Sequence, residues 1–191
     1  MKLLSCVAFL ALGSLLVSSC VAEDESLPSP FPEPAVTAEH AWLQQLVGDW
    51  NITGTADMGP DGGGQMTYQG TQSVRSIGGL WVIGEGQAEM KGQPMQSVIT
   101  LGFDPAKKAF VGTWVDSSQA MMWNYNGRLD DTRKILELDA DGPSWGDPTK
   151  TASYRDSIEV KSADHYVLTS GVKNADGTWT NFMHADYRRK Q

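Results

Sequence analysis

The chain has 191 residues and a formal net charge of −8 at pH 7. Its length suffices for one domain with its own core once the first residues are set aside. The acidic balance argues against nucleic acid and against an anionic lipid surface as partners. Both cysteines, Cys6 and Cys20, lie near the start, so the rest of the chain has no thiol for a disulfide, a zinc cluster or a nucleophile.

The first residues have the pattern of an export signal. Lys2 precedes an apolar run that is too short to be a membrane-spanning helix. The run ends in Val17-Ser18-Ser19-Cys20, which resembles the bacterial lipobox, whose cysteine is acylated and becomes the mature amino terminus. We predict a signal peptide over residues 1–19, a lipid attachment site at Cys20, and an exported lipoprotein of the outer membrane or facing the periplasm. The alternative is cleavage after Ala22 and a secreted protein.

A tether and a short helix are expected to follow the signal. Residues 20–36 are acidic and rich in proline, a composition typical of a disordered segment. The folded domain is predicted to span residues 37–191. Thr37 can cap a short helix over residues 38–47, which Gly48 ends. Because so short a helix is unstable alone, we expect it to dock against the end of a barrel.

Beyond the predicted helix, apolar residues alternate and turn signals recur every ten or so residues. Ile99, Leu101 and Phe103, for example, share one side of a predicted strand. Nine turns, one of them at Asp141-Gly142-Pro143, separate ten predicted strands. The pattern predicts an all-β fold, an up-and-down antiparallel barrel of about ten strands, since closure removes exposed strand edges. A two-sheet sandwich is the alternative.

Three motifs carry a resemblance to a known family. Gly48-Asp49-Trp50 opens the first strand, Gly78-Gly79-Leu80-Trp81 follows the second, and a long motif over residues 100–117 spans the fourth and fifth. With these motifs, residues 40–190 resemble the bacterial domain-of-unknown-function family 1579, to which a lipocalin-like fold is ascribed. The resemblance implies a lipocalin-like barrel and leaves the activity open. Phe103 departs from the family pattern, which commonly has tyrosine there.

The Gly-x-Trp start is also similar to that of lipocalins, in which the tryptophan of the first strand packs under a basic residue of the last. By this resemblance, Arg189 is predicted to stack on Trp50 and to cap one end of the barrel. Such a contact is a structural one, worth about 1–2 kcal/mol when partly buried. The alternative is that Arg189 belongs to a solvated basic tail.

The sequence carries no recognisable catalytic motif. His40, His165 and His184 lie far apart, no pair has the spacing of metal ligands, and His184 is expected to face solvent. Asp104 and Asp116 flank one hairpin and could form an acid–base pair, although Asp104 also suits the start of an Asp-Pro turn. We therefore predict no metal site and no cofactor, and we favour a protein that is not an enzyme.

Tryptophan, tyrosine and methionine are abundant in the predicted barrel, and a ten-stranded barrel can place them around a cavity. The leading hypothesis is a cell-envelope lipoprotein that binds a small hydrophobic or amphipathic molecule there and contacts the membrane only through its anchor. An enzyme that uses carboxylates or a histidine in the cavity, and a solid barrel that acts as an interaction module, are the alternatives. Charged ligands are expected to be excluded. The predicted ligand-binding residues are Ile99, Leu101, Phe103, Trp114, Trp179, Met183 and Tyr187.

Overall fold

The computed structural model describes residues 33–57 and 64–191. In this part of the chain, a short helix leads into ten antiparallel strands that close into a barrel. The predicted up-and-down barrel with a short helix before it is confirmed, and the two-sheet sandwich is excluded. The predicted signal peptide, Cys20 and most of the predicted tether lie outside the described residues. Among the described residues, no helix is long and apolar enough to cross a membrane.

Each strand pairs with its neighbours in the chain, and the first strand pairs with the last to close the barrel. The helix α1 spans Ala38–Leu43 and continues as a 3-10 turn over Gln44–Leu46. The strands are β1 Gly48–Asp57, β2 Gln65–Ile77, β3 Trp81–Met90, β4 Gln93–Asp104, β5 Ala109–Asp116, β6 Trp123–Leu129, β7 Ile135–Ser144, β8 Asp147–Ser162, β9 His165–Lys173 and β10 Trp179–Arg189.

Side chains that alternate along the strands fill the barrel. In β1, Trp50, Ile52 and Ala56 are buried, whereas Asn51 and Thr53 between them are exposed. This period of two places every second residue on the inner face of a strand. In β1 the alternation in the sequence therefore matches the inner and outer faces of the strand.

One predicted turn is wrong. Asp141-Gly142-Pro143 lies inside β7, and the chain turns only after Ser144. A Cβ atom added at Gly142 would lie 2.4 Å from the ring of Trp123. The glycine thus makes room for a neighbouring ring inside the barrel and does not bend the chain.

The helix and the 3-10 turn cover one end of the barrel, which we call the helical end. Trp42 donates its Nε1–H to the carbonyl oxygen of Arg133, in the turn between β6 and β7, over 2.9 Å. Gln44 donates its side-chain amide to the carbonyl oxygen of Gly79, between β2 and β3, over 3.2 Å. The predicted docking of the helix is therefore present, and two turns of the barrel hold it.

His40 connects the helix to β4 and is 2% exposed. Its Nδ1 accepts a hydrogen bond from the backbone N–H of Thr37 over 3.0 Å, so Nε2 is left to donate to the carbonyl oxygen of Phe103, 3.1 Å away. The two rings also meet edge to face, with their centres 5.7 Å apart. The buried imidazole is tolerated because both of its nitrogens have hydrogen-bond partners.

The predicted contact between the first and last strands is present at the helical end. Trp50 lies opposite Arg189, whose guanidinium carbon is 4.2 Å from the centre of the indole ring. Arg189 also donates to the carbonyl oxygens of Val47, over 2.9 Å, and Ala163, over 2.8 and 3.0 Å. The indole N–H donates to the carbonyl oxygen of Leu46 over 2.9 Å. Arg189 is thus part of the barrel and not of a solvated tail.

Candidate functional site

The barrel is hollow at the end opposite the helix. A cavity of about 380 Å³ opens there, and we call it the barrel cavity. Its volume lies at the small end of the range of about 300–1,000 Å³ that is typical of small-molecule sites. The barrel cavity therefore suits one small molecule.

Aromatic side chains form much of its wall. Trp123 packs edge to face against Tyr154, with ring centres 5.0 Å apart, and Trp145 packs in the same way against Phe182, at 4.5 Å. Trp145 is 54% exposed and so lies at the mouth of the cavity. Such contacts between ring edges and faces hold the rings in defined positions, so this part of the wall has a fixed shape.

A β-bulge in β10 decides which of its side chains reach the cavity. The pairing of β10 with β9 shifts between Asn181 and Met183, and Phe182 and Met183 both line the cavity. Before the bulge the inner and outer positions are exchanged. Trp179 therefore faces outward, with its ring centre 4.5 Å from the guanidinium carbon of Arg155. The prediction that Trp179 faces the interior is wrong, because the bulge interrupts the alternation on which it rests.

Two of the other predicted ligand-binding residues, Trp114 and Met183, line the barrel cavity. Their contact with a ligand stays a prediction. The remaining four belong to the packed core and are not part of the cavity wall, which corrects the prediction for them. Alternation along a strand determines the face on which a residue lies, whereas its depth in the barrel decides whether it meets the core or the cavity. These four are Ile99, Leu101, Phe103 and Tyr187.

The floor of the cavity carries one enclosed carboxyl group, that of Asp156 in β8. Ser170 donates its hydroxyl to Oδ1, and Tyr125 donates its hydroxyl to Oδ2, each over 2.5 Å. Burial raises the pKa of Asp156, and the hydrogen bonds from Ser170 and Tyr125 offset part of that shift. Sequence reasoning missed this residue, although it has the same parity in β8 as the buried Tyr154 and Ile158.

Tyrosines surround the same carboxyl group. Burial raises the pKa of Tyr68 to about 12, and the charge of Asp156 adds to the shift. Burial is also the main cause of the raised pKa values of Tyr125 and Tyr187. The hydroxyls of these tyrosines therefore stay protonated at neutral pH and can act as hydrogen-bond donors.

A second carboxyl group, that of Asp116 at the end of β5, lies at the mouth. Burial alone would raise its pKa, but hydrogen bonds from Ser118, Gln119 and Trp114 outweigh burial and lower it. The indole N–H of Trp114 is 3.1 Å from Oδ2, and the amide of Gln119 is 2.7 Å from the same atom. Asp104 begins a turn at the opposite end of β5. The acid–base pair of Asp104 and Asp116 is therefore excluded.

The charged residues that line the cavity in the described part of the chain are all acidic. Among the described residues that line it there is no lysine, arginine or histidine. Arg155, next to Asp156 in the sequence, faces outward and donates to Asp139 over 2.6 Å and to Glu137 over 2.9 Å. His184 is on the outer face, as predicted, 3.3 Å from Asp186. Nowhere in the described ranges do three potential metal ligands cluster together.

One solved structure supports the barrel fold. The crystal structure of Rv2717c from M. tuberculosis is similar, with a TM-score of 0.56 and 14% sequence identity over 82% of this chain and 100% of that chain. The structure of EF1p2_mFAP2b bound to DFHBI matches 80% of this chain and 100% of its own, with 16% identity and a TM-score of 0.44. Comparison with curated proteins found no match. The family model described as "Protein of unknown function (DUF1579)" matches residues 35–189, and the chain belongs to this family.

Proposed function

We propose that the protein binds one small hydrophobic or amphipathic molecule in the barrel cavity. The observation that carries the proposal is an aromatic-lined cavity of about 380 Å³ in a barrel whose other half is solidly packed. Burial of a ligand against such walls is favourable by about 25 cal/mol per Å² of apolar surface. The few polar groups at the floor and mouth can orient the ligand.

The size of the inward residues explains why the cavity stays open. Along β7 the inner face passes from Leu136 and Leu138 to Ala140 and Gly142 as the strand approaches the mouth. Large side chains therefore fill the helical end, and small ones leave space at the other end. An unfilled space costs packing energy, because the atoms around it lack contact partners. A bound apolar molecule would restore those contacts.

Titration with a neutral, environment-sensitive naphthalene dye tests the proposal. We expect saturable binding with a shift of the dye emission to shorter wavelength, since the dye leaves water for an apolar site. Trp114→Ala should weaken binding by about 1 kcal/mol, or roughly fivefold, because one aromatic contact is lost. Trp81→Ala is the matched control, since Trp81 is 39% exposed on the outer face and should leave the affinity unchanged.

Two outcomes would contradict the binding proposal. Absence of saturable binding of the dye, of isoprenoids and of simple aromatics by the folded wild type would favour an interaction module. Turnover in a screen of esters would favour the enzyme alternative instead. Mass spectrometry of the natively purified protein adds an independent measurement, because a molecule that purifies with it would be detected directly.

We further propose that a lipid anchor on Cys20 presents the barrel at the cell envelope. The support is the sequence Val17-Ser18-Ser19-Cys20 at the end of an apolar run, followed by the acidic, proline-rich residues 20–36. Metabolic labelling with a palmitate analogue should mark the wild type and not Cys20→Ser. Equal labelling of both proteins, or of neither, would contradict the anchor and favour cleavage after Ala22.

A further inference from the structure

We propose that the molecule held in the barrel cavity carries a head group that donates hydrogen bonds, with a protonated amine as the best fit, and that this head group binds Asp156. The inference rests on the proposed binding function and specifies the chemical class of the ligand. It also corrects the expectation that every charged ligand is excluded, because only anions would be.

The hydrogen bonds that the described residues make to Asp156 leave acceptor positions unused. Oδ1 accepts one bond, from Ser170, and Oδ2 accepts one bond, from Tyr125. A carboxylate oxygen has two acceptor positions, so each oxygen can take one more donor. Both existing partners are donors themselves, which orients the carboxyl group and favours its ionised form. Because Asp156 lines the cavity, a ligand can reach the remaining positions.

Among the described residues that line the cavity, no cation balances this carboxyl group. The lining residues within the described part of the chain include no lysine, arginine or histidine, and Arg155 is bound to carboxylates on the outer face. An ionised carboxylate that is enclosed without a counter-ion costs free energy, in agreement with the raised pKa of Asp156. An ammonium group on a ligand would offset that cost.

The same charges disfavour an acidic ligand. A carboxylate head group at the floor would lie beside Asp156, and on its way in it would pass Asp116 at the mouth. Like charges brought together in an enclosed site cost several kcal/mol. Fatty acids should therefore bind more weakly than amines or alcohols with the same hydrocarbon chain.

The groups around Asp156 make the pH dependence of amine binding interpretable. From β2, β6 and β10 the titratable neighbours are Tyr68, Tyr125 and Tyr187, and burial keeps all three protonated. From β9 the neighbour is the hydroxyl of Ser170. An alkylamine stays protonated in acid, so its affinity should fall as the pH is lowered through the pKa of Asp156.

A head-group series tests the inference. Linear alkyl chains of equal length that end in an amine, an alcohol, a carboxylate or a methyl group are used to displace the neutral naphthalene dye from the wild type. We expect the amine to bind most tightly, the alcohol next, and the carboxylate at least about tenfold more weakly than the amine. The methyl-terminated chain measures the contribution of the apolar walls alone.

Asp156→Asn should abolish the preference for the amine, with a loss of about tenfold for the amine and little change for the alcohol. Retained binding of the neutral dye shows that the cavity of the variant is intact. Asp141→Asn makes the same change of charge on the outer face of β7, where Asp141 is exposed, and should preserve the order of affinities. If Asp156→Asn does not fold, the series on the wild type decides.

The outcomes separate the inference from the proposed function. Equal affinity for all four chains would overturn the inference and leave the binding function standing. The inference would also fail if the carboxylate bound most tightly, or if the dye bound and the amine did not displace it. If neither the dye nor any chain bound, the proposed function and the inference would fail together.

Discussion

The two ends of the barrel differ in how tightly they are packed, although the same strands form both. At the helical end, Leu43 and Trp50 are almost completely buried, at 0% and 1% exposure. At the other end, Met122 and Trp145 are each 54% exposed, and Trp145 lines the cavity. One closed sheet can thus be tightly packed at one end and hollow at the other. Substitutions at the two ends should therefore have different consequences.

The largest effect is expected from Trp50→Ala at the helical end. The substitution leaves a space in a packed region and also removes the hydrogen bond to Leu46, so unfolding in urea should show a loss of about 3–5 kcal/mol. The matched control at the mouth is Trp145→Ala, which should change stability by no more than about 0.5 kcal/mol. Equal losses of stability from Trp50→Ala and Trp145→Ala would contradict the conclusion that the helical end contributes more to stability than the mouth.

The second effect is expected from His40→Ala, which leaves the N–H of Thr37 and the carbonyl of Phe103 without their partner. Loss of buried hydrogen bonds of this kind should cost about 1–3 kcal/mol. His184→Ala removes the same side chain from the exposed outer face and should be nearly neutral. A difference of less than a few tenths of a kcal/mol between the two variants would show that the helix does not depend on His40.

A double-mutant cycle measures how strongly Trp50 and Arg189 stabilise each other at the helical end. We expect a coupling energy of about 1 kcal/mol, from the stacking of the guanidinium on the indole. Part of the cost of Arg189→Ala should remain in the Trp50→Ala background, because the bonds to Val47 and Ala163 do not depend on the indole. Simple additivity would mean that the two side chains do not stabilise each other.

The smallest effect concerns the pH dependence of stability. Folding raises the pKa of Asp156, so the folded wild type loses stability as the pH rises from the ordinary carboxyl range through that pKa. The stability of Asp156→Asn relative to the wild type should therefore increase with pH.

Asp186 should show the opposite pH dependence of stability, because its hydrogen bond with His165 lowers its pKa. Its stabilising contribution is lost as the pH falls through that pKa, and Asp186→Asn should remove this dependence.

Much of the fold can be predicted from the sequence because its signals are local. Turn residues and alternation mark nearly all the strands, and the short apolar stripe predicts the docked helix. The contact of Trp50 with Arg189 is predicted by the resemblance to lipocalins, and closure explains it, since it brings the start of β1 beside the end of β10. The predicted turn at Asp141-Gly142-Pro143 is wrong because glycine occurs both in turns and where a neighbouring group approaches the backbone closely. Here Gly142 leaves room for the ring of Trp123.

The candidate site is less predictable, for two physical reasons. The extra residue at Phe182 exchanges the two faces of β10, so Trp179 is outside the barrel although its parity matches Met183. A pattern of period two does not indicate how deep along the barrel axis a residue lies. In the sequence, Leu101 of the core therefore cannot be distinguished from a residue of the cavity wall. The sequence did contain a signal for Asp156, because it is a charged residue at an inner position of a strand face that is otherwise apolar. A charge in such a position is a better indication of a site than alternation alone.

The helix that covers one end also bears on the kinetics of exchange. With that end closed, a ligand bound as proposed would enter and leave by the same mouth, so both rates would share one transition state. A side chain that narrows the mouth without touching the bound molecule changes the two rates by the same factor. Met122, which is exposed in the segment between β5 and β6 and is not part of the cavity wall, is a candidate position for such a side chain. For the proposed ligand, the residence time would thus change at the mouth without a change in the dissociation constant.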